Sequence, residues 1–328
     1  MEGENIVIIL VYVDDLLCAT NNEHLKVQLF KDLSDDYGVK DQGILTDYLG
    51  VEVEQSNEKI AIHQGKYTRL ILDKYGYADA NKVGNPMETN THLVAASSDE
   101  ELEKNFDYRG ALGMLMYLAT STRPDIAYAV GQLSRFAAAP TVKHVGTIKR
   151  VMRYLAGTVE QGIVYSRQQK TSDSIDLQGY CDSDWAGDAE TRKSTTGFVF
   201  TLAGGAVSWM SRRQTIIALS TAEAEYVAAC EAAMEATGEA NILKEINVKI
   251  GIDNQSAHVM ATSPTFSRRT RHIELRWHYV REQVQRGTIQ LMKIVGSANP
   301  ADAFTKPLNK NRIKMLNELM GVGAAGRL

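Results

Sequence analysis

Four carboxylates, Asp182, Glu225, Asp253 and Asp302, stand where chemistry rather than solvation is expected. Asp182 follows a strand-like run at 175–181, and Asp253 follows an alternating one at 248–252. Glu225 lies between them in an alanine- and glutamate-rich helical segment, 222–236, and Asp302 comes just after Asn299–Pro300, the cap and first residue of a helix. Singly, each has a plain structural explanation: Asp182 a turn cap, Glu225 one more exposed glutamate beside Glu223 and Glu231, Asp253 the entry to the helix after Asn254, Asp302 a favourable charge at a helix N-terminus. Together they are harder to dismiss. Functional groups in mixed α/β sheets gather at the carboxyl ends of adjacent strands, so pairing the strand before Asp182 with the strand before Asp253 would bring all four acids to one rim. Crowded carboxylates require cations. Two Mg²⁺ ions about 3.5–4 Å apart would relieve the repulsion and supply a nucleophile for phosphodiester hydrolysis. The oxygen-only donor set suits hard Mg²⁺, with Mn²⁺ as a substitute, and no His/Cys cluster competes for it.

The elements that must position these acids follow from periodicity. Three strands (175–181, 196–202, 206–209), the 222–236 helix, a strand at 248–252, a helix at 272–286, a fifth strand at 288–295 and a last helix from 299 give the order βββ-α-β-α-β-α, hence a mixed sheet flanked by helices. Earlier, residues 6–13 read as a buried strand that runs into Asp14–Asp15 at a hairpin tip, with apolar residues again at 16–19. A helix at 23–36, short strands at 48–53 and 59–63 and a helix at 66–75 follow. Residues 81–103 are polar and broken by Gly84 and Pro86, a linker or long loop. Helices are expected at 108–120, 124–138 and 142–155, the last closed by Gly157. A second polar linker spans 168–174, and the glycine-rich end from Gly321 is expected to fray.

The chain has 328 residues, enough for two or three cored domains, and a formal charge of −4 that argues against coating nucleic acid through bulk basicity. Three scattered cysteines (Cys18, Cys181, Cys230) form no C-x-x-C pair, so no zinc knuckle or disulfide framework is expected, and a reducing compartment is. The apolar run 6–13 is far shorter than the roughly 20 residues of a membrane span and lacks the flanks of a secretion signal. A cytoplasmic location (including a virus-like particle) or a nuclear one is expected.

The segments GYCDSDWAGD (179–188), KSTTGFVF (193–200), STAEAEYVA (220–228), DNQSA (253–257), RTRHIEL (269–275) and NPADAFTKPL (299–308) resemble, in order, the ribonuclease H domain of copia-type retrotransposon polyproteins. The resemblance places metal-binding acids on Asp182, on Glu225 rather than Glu223, on Asp253 and on Asp302, and implies cleavage of the RNA strand of RNA–DNA hybrids. Three departures stand out. Gly296–Ser297–Ala298 occupies the loop where cellular ribonucleases H often carry a histidine, which implies slower turnover. The segment 243–248 is several residues short, which could distort the strand before Asp253. Asn299–Pro300 replaces a more usual Gln-Leu, a change that a helix start can absorb.

Tyr12–Val13–Asp14–Asp15, YLGVEVE (48–54), the run 115–136 and KRVMRYLAGT (149–158) resemble the rear of a copia-type reverse transcriptase. In that family the two aspartates, here Asp14 and Asp15, sit at a palm hairpin tip and bind catalytic metals with a third acid upstream. The chain begins too close to Asp14 to hold that acid or the front of the palm, so polymerisation by this chain alone is not expected, and the apolar edge at 6–13 is expected to limit solubility.

The resulting expectation is an α/β ribonuclease H-like mixed five-stranded sheet with flanking helices (171–310), preceded by a partial reverse-transcriptase palm (1–86) and a helical thumb or connection (87–170), and followed by a tail (311–328). Its partners would be an RNA–DNA hybrid and the missing polymerase half or other element-encoded proteins, with no membrane. Arg268, Arg269, Arg271 and Arg276, with Lys149, Arg150 and Arg153 on the helical part, are candidates for tracking phosphates, against the alternative of a solvated charged face. His272 and His278 are too far apart for a helical zinc pair and are read as hydrogen-bonding groups, and Trp185, Trp209 and Trp277 as core. The alternative function is a catalytically inactive remnant that only binds nucleic acid.

Overall fold

A computed structural model describes residues 5–97, 100, 102–167, 175–242, 246–263 and 278–325. Two compact units divide it, Met1–Leu49 and Gly50–Leu328.

In the first unit, β1 (Val7–Tyr12) and β2 (Asp15–Thr20) form an antiparallel hairpin, followed by helix α1 (Glu23–Tyr37) and a two-residue strand β3 (Asp47–Tyr48). The Asn22 side chain caps α1 by accepting from the His24 and Leu25 amides, and Gly38 ends it in the left-handed region. Every residue of β1 is exposed, Ile8 by 59% and Val11 by 64%, so the expected buried strand is corrected. An apolar β-branched run reports strand propensity, whereas burial needs a second layer that local pattern does not reveal.

The second unit opens with β4 (Val51–Gln55), β5 (Lys59–His63) and helix α2 (Gly65–Tyr75). Helix α3 (Tyr108–Ser121) follows, then a 3₁₀ turn at Pro124–Ile126 that leads into α4 (Ala127–Ser134), and helix α5 (Val142–Ala156). Ile71, Leu115, Leu118, Ile126, Leu133, Ile148, Met152 and Leu155 form the apolar centre of these helices. The single helix expected over 124–138 is thus a 3₁₀ turn plus a shorter helix. Its start is pinned by a buried ion pair, in which Arg123 Nε and Nη2 donate to the two Asp125 oxygens at 2.9 and 2.7 Å. The Tyr154 hydroxyl adds a third hydrogen bond to Asp125. Removing one partner of such a pair leaves an uncompensated buried charge. Asp125→Ala is therefore expected to lower unfolding free energy by about 3–5 kcal/mol, as measured by urea denaturation.

Strand β6 (Gln161–Ser166) was not legible, its apolar core being only three residues. It pairs antiparallel with β5 on one side and, on the other, with β12 (Val322–Ala324). The expected frayed end is corrected: helix α9 (Lys310–Leu319) and β12 dock there, with the Val164 amide donating to Gly321 O and the Ala206 amide to Met320 O. The partners lie far away in sequence, which is why the order was invisible locally.

The remaining elements are β7 (Ile175–Ser183), β8 (Thr195–Leu202), β9 (Gly205–Arg213), α6 (Thr221–Ile242), β10 (Ile246–Ile252), α7 (Gln255–Thr262), α8 (Tyr279–Arg286) and β11 (Ile289–Lys293). The strands lie in the order β11-β10-β7-β8-β9, with β10 parallel to both its neighbours and the β7–β8–β9 ladder antiparallel. This is the mixed, ribonuclease H-like α/β sheet that the resemblance implied. The register of β10 on β7 is unbroken from Ile246 to Ile252, so the short segment at 243–248 does not distort that strand over its described length. Helix α6 covers one face with alanines (Ala224, Ala228, Ala229, Ala232, Ala233, Ala236 all buried), which let its backbone approach the sheet closely. Val199, Phe304, Leu316, Met320 and Ile163 form a second core, which joins the sheet to α9 and β6. No described helix is long and apolar enough to cross a membrane.

Candidate active site

The rim formed by the ends of β7 and β10 carries the acids. Cys181 and Ile252 are partners in the parallel register, so Asp182 and Asp253, each one residue further on, emerge side by side. The third acid arrives from a turn. Asn299, fully buried, donates to the Cys181 carbonyl at 2.9 Å and to Asp253 Oδ2 at 3.3 Å, and its own oxygen caps the 3₁₀ segment Pro300–Phe304. That segment lies across β8 at Gly197, the cross-strand partner of Asp182. A Cβ on Gly197 would meet Phe304 Cβ at 2.7 Å and Thr305 Cγ2 at 2.8 Å, so only glycine allows this approach. Asp302 is thereby delivered beside the strand ends, and the Thr305 hydroxyl donates to Asp182. One carboxylate oxygen from each of Asp182, Asp253 and Asp302 lies within 4.8 Å of the others.

Glu225, in the second turn of α6, completes the rim and is buried, contrary to the plain reading of an exposed glutamate. The Ser183 amide hydrogen-bonds its carboxylate, while Oε2 is buried with no partner among the described residues. Burial, reinforced by the charges of Asp182 and Asp253, pushes its carboxyl up to about 9. Asp182 is raised to about 6 by burial, with Lys306 opposing the shift and Asp302 adding to it. A fifth acid, Asp184, is also raised to about 6 by burial. A buried carboxylate oxygen without a donor among the described residues, beside three converging carboxylates, fits a hard divalent cation: the cluster supplies oxygen ligands only and gathers more negative charge than Lys306 and Arg312 offset.

Two basic residues that sequence reasoning left without a role stand in the same site. Lys306 Nζ lies 2.6 Å from Asp302 Oδ1 and 3.6 Å from Asp182 Oδ2. Arg312, from α9, lies 2.7 Å from Asp302 Oδ2. Lys306 falls within the quoted 299–308 motif, so a signal existed for it; for Arg312 there was none.

Of the other sequence-derived candidates, those on described residues belong to other elements. Asp14 and Asp15 sit at the β1–β2 turn of the first unit, where Tyr12 pairs with Asp15 and Val13 adopts φ 55°, a strained backbone for a β-branched residue. On α5, Lys149 is exposed, with its ammonium 5.8 Å from the Phe106 ring centroid. Arg150 is engaged by Glu88 at 2.6 Å and Asn85 at 2.7 Å, and Arg153 is half-buried. Arg268, Arg269, Arg271, Arg276, His272 and Trp277 fall outside the described residues. His278 hydrogen-bonds the Tyr226 hydroxyl at 2.9 Å, as a hydrogen-bonding histidine should. Trp209 packs in the second core, but Trp185 is 51% exposed, so its reading as core is corrected; its indole N–H is held by the Ala218 carbonyl.

The family described as "Reverse transcriptase (RNA-dependent DNA polymerase)" matches residues 1–89. The "Retrovirus-related Pol polyprotein from transposon TNT 1-94" of Nicotiana tabacum is 36% identical over 97% of this chain, which spans 24% of that polyprotein's length. A "Putative transposon Ty5-1 protein" of Saccharomyces cerevisiae is 30% identical over 69% of this chain and 73% of its own. Among solved structures, the ribonuclease H1 of Halobacterium salinarum aligns with 40% of this chain and 94% of its own at 16% identity and a TM-score of 0.30. The chain belongs to the Pol polyproteins of copia-type retrotransposons, with a reverse-transcriptase family match over residues 1–89.

Proposed function

We propose that this chain hydrolyses the RNA strand of RNA–DNA hybrids in a divalent-cation-dependent reaction, with Asp182, Glu225, Asp253 and Asp302 as the cation ligands. The observation that carries the proposal is the meeting of three aspartate oxygens within 4.8 Å beside a buried glutamate oxygen that no donor among the described residues satisfies. Mg²⁺, with Mn²⁺ as a substitute, would be held by these four residues and would supply a water-derived nucleophile and charge stabilisation at the phosphate. The chain's own contribution is placement: the β7–β10 register aligns two ligands, Asn299 and Thr305 fix the third against them, and burial in α6 keeps Glu225 dry. Asp14 and Asp15, at the β1–β2 turn of the first unit, are given no part in this reaction.

A second reading, a remnant that binds nucleic acid without cutting it, is favoured by one observation: both Asp302 oxygens are paired with basic side chains. The two separate in one assay. Full-length protein with a hybrid labelled on either strand is expected to shorten the RNA strand in Mg²⁺, to leave the DNA strand intact, and to be silent in EDTA. Hybrid that is bound but uncut, at any Mg²⁺ or Mn²⁺ concentration, would leave only the second reading.

A further inference from the structure

The pairing of Asp302 is asymmetric. Arg312 spends its donors on a fixed set of acceptors: Nη2 reaches Asp302 Oδ2 at 2.7 Å and the Gly296 carbonyl at 3.0 Å, and Nη1 donates to the Ser297 carbonyl. Its side chain is 21% exposed, and its helix is anchored in the core by Ile313, Leu316 and Met320. The planar guanidinium therefore ties one Asp302 oxygen and the loop 296–298 into a single rigid piece. That loop borders the site, since a Cβ on Gly296 would lie 3.2 Å from Asp253 Oδ2. Lys306 is different in kind. Its ammonium bridges two of the three converging aspartates, at 2.6 and 3.6 Å, yet its side chain is 46% exposed and no backbone acceptor among the described residues holds it. Its flexible stem lets the ammonium move into solvent once another cation takes over the aspartates.

On the reading that this rim binds divalent cations, we infer that Arg312 and Lys306 play opposed roles at Asp302. Arg312 is a fixed positioning residue that occupies Oδ2 and leaves Oδ1 to face the site, and Lys306 is a displaceable counter-charge that holds Oδ1 until a cation takes its place. Neither touches the reacting atoms in this role. Arg312 lies beyond residue 310, so a fragment cut there would keep all four acids and lose the group that orients one of them.

The two roles give affinity changes of opposite sign, read without nucleic acid or turnover. Full-length protein is titrated with Mn²⁺, free Mn²⁺ being followed by electron paramagnetic resonance, and with Mg²⁺ by calorimetry. Lys306→Met removes a competing charge of similar length, so it is expected to bind Mn²⁺ about fivefold or more tighter than the parent. Arg312→Lys conserves charge but cannot span an aspartate and two carbonyls at once, so it is expected to bind about threefold or more weaker. Circular dichroism and Tm verify that each variant is folded, and Lys306→Met, at an exposed side chain, keeps the test open if Arg312→Lys does not fold. Unchanged or weaker binding by Lys306→Met overturns the counter-charge, and unchanged or tighter binding by folded Arg312→Lys overturns the positioning role. Either result with a parent that binds cation leaves the cation site standing. A parent that binds neither ion overturns both the inference and the site.

Discussion

Asp182→Asn is expected to abolish cleavage of an RNA–DNA hybrid, by at least about 10³-fold, while leaving the protein folded. The size of the effect follows from the position of the residue. Asp182 touches the rest of the site on several sides: it shares the cluster with Asp253 and Asp302, accepts the Thr305 hydroxyl and faces Lys306. Asparagine has the same shape and can still accept from Thr305, so packing is preserved while a cation loses an anionic ligand. Stability should not fall, because the removed charge is buried and pays a desolvation cost that already raises its carboxyl to about 6. The measurement is single-turnover cleavage at saturating protein, with Tm recorded on the same samples. Cleavage within about threefold of the parent would show that the cluster is not where the chemistry happens, whatever its geometry.

The parts of this site that were legible in advance were those encoded by local period. The runs before Asp182 and Asp253 read as strands, and once two parallel strands pair, residues just past their ends must neighbour each other. Asn299 before Pro300 read as a cap and is one. The choice of Glu225 over Glu223 came from family resemblance, since both lie on the same alanine-rich helix and both are buried. Glu223 turns out to cap that helix by accepting from the Leu219 amide. What escaped was non-local. Arg312 carries no pattern that links it to Asp302, and β12 acquires its order from β6, an element with only three apolar residues to announce it. The exposure of β1 escaped for the converse reason, because a strand signal was taken to imply a second layer. Arg150, a phosphate-tracking candidate on charge alone, is instead tied to Glu88 and Asn85, a difference that composition cannot express.

Removing divalent cations should make stability fall as pH rises, and Glu225→Gln should flatten that fall. Both Glu225 and Asp182 hold their protons more tightly in the folded chain than carboxyls ordinarily do, at about 9 and about 6. Between the ordinary carboxylate range and these values the folded state binds protons that the unfolded state has released. Their contribution is therefore fully present below about pH 4 and is lost as pH rises, first through about 6 and then through about 9. The buried Glu225 dominates at neutral and alkaline pH, where ionising it costs desolvation beside two aspartates. In EDTA, Tm is expected to drop by several °C from about pH 5 to about pH 9, since each kcal/mol corresponds to roughly 2–4 °C in a protein of this order of size. Glutamine at 225 cannot ionise, so that variant should be more stable than the parent at alkaline pH in EDTA. A saturating divalent cation acts the other way, favouring the ionised carboxylates and recovering Tm most at high pH, where fewest protons must be expelled. The same linkage predicts that cation binding at pH 7 releases protons, so the calorimetric heat should vary with the ionisation enthalpy of the buffer. A Tm in EDTA that is flat or rises over this range, or a Glu225→Gln variant with the parent's slope, would mean that Glu225 is ionised in the cation-free protein and held by groups other than those around it here.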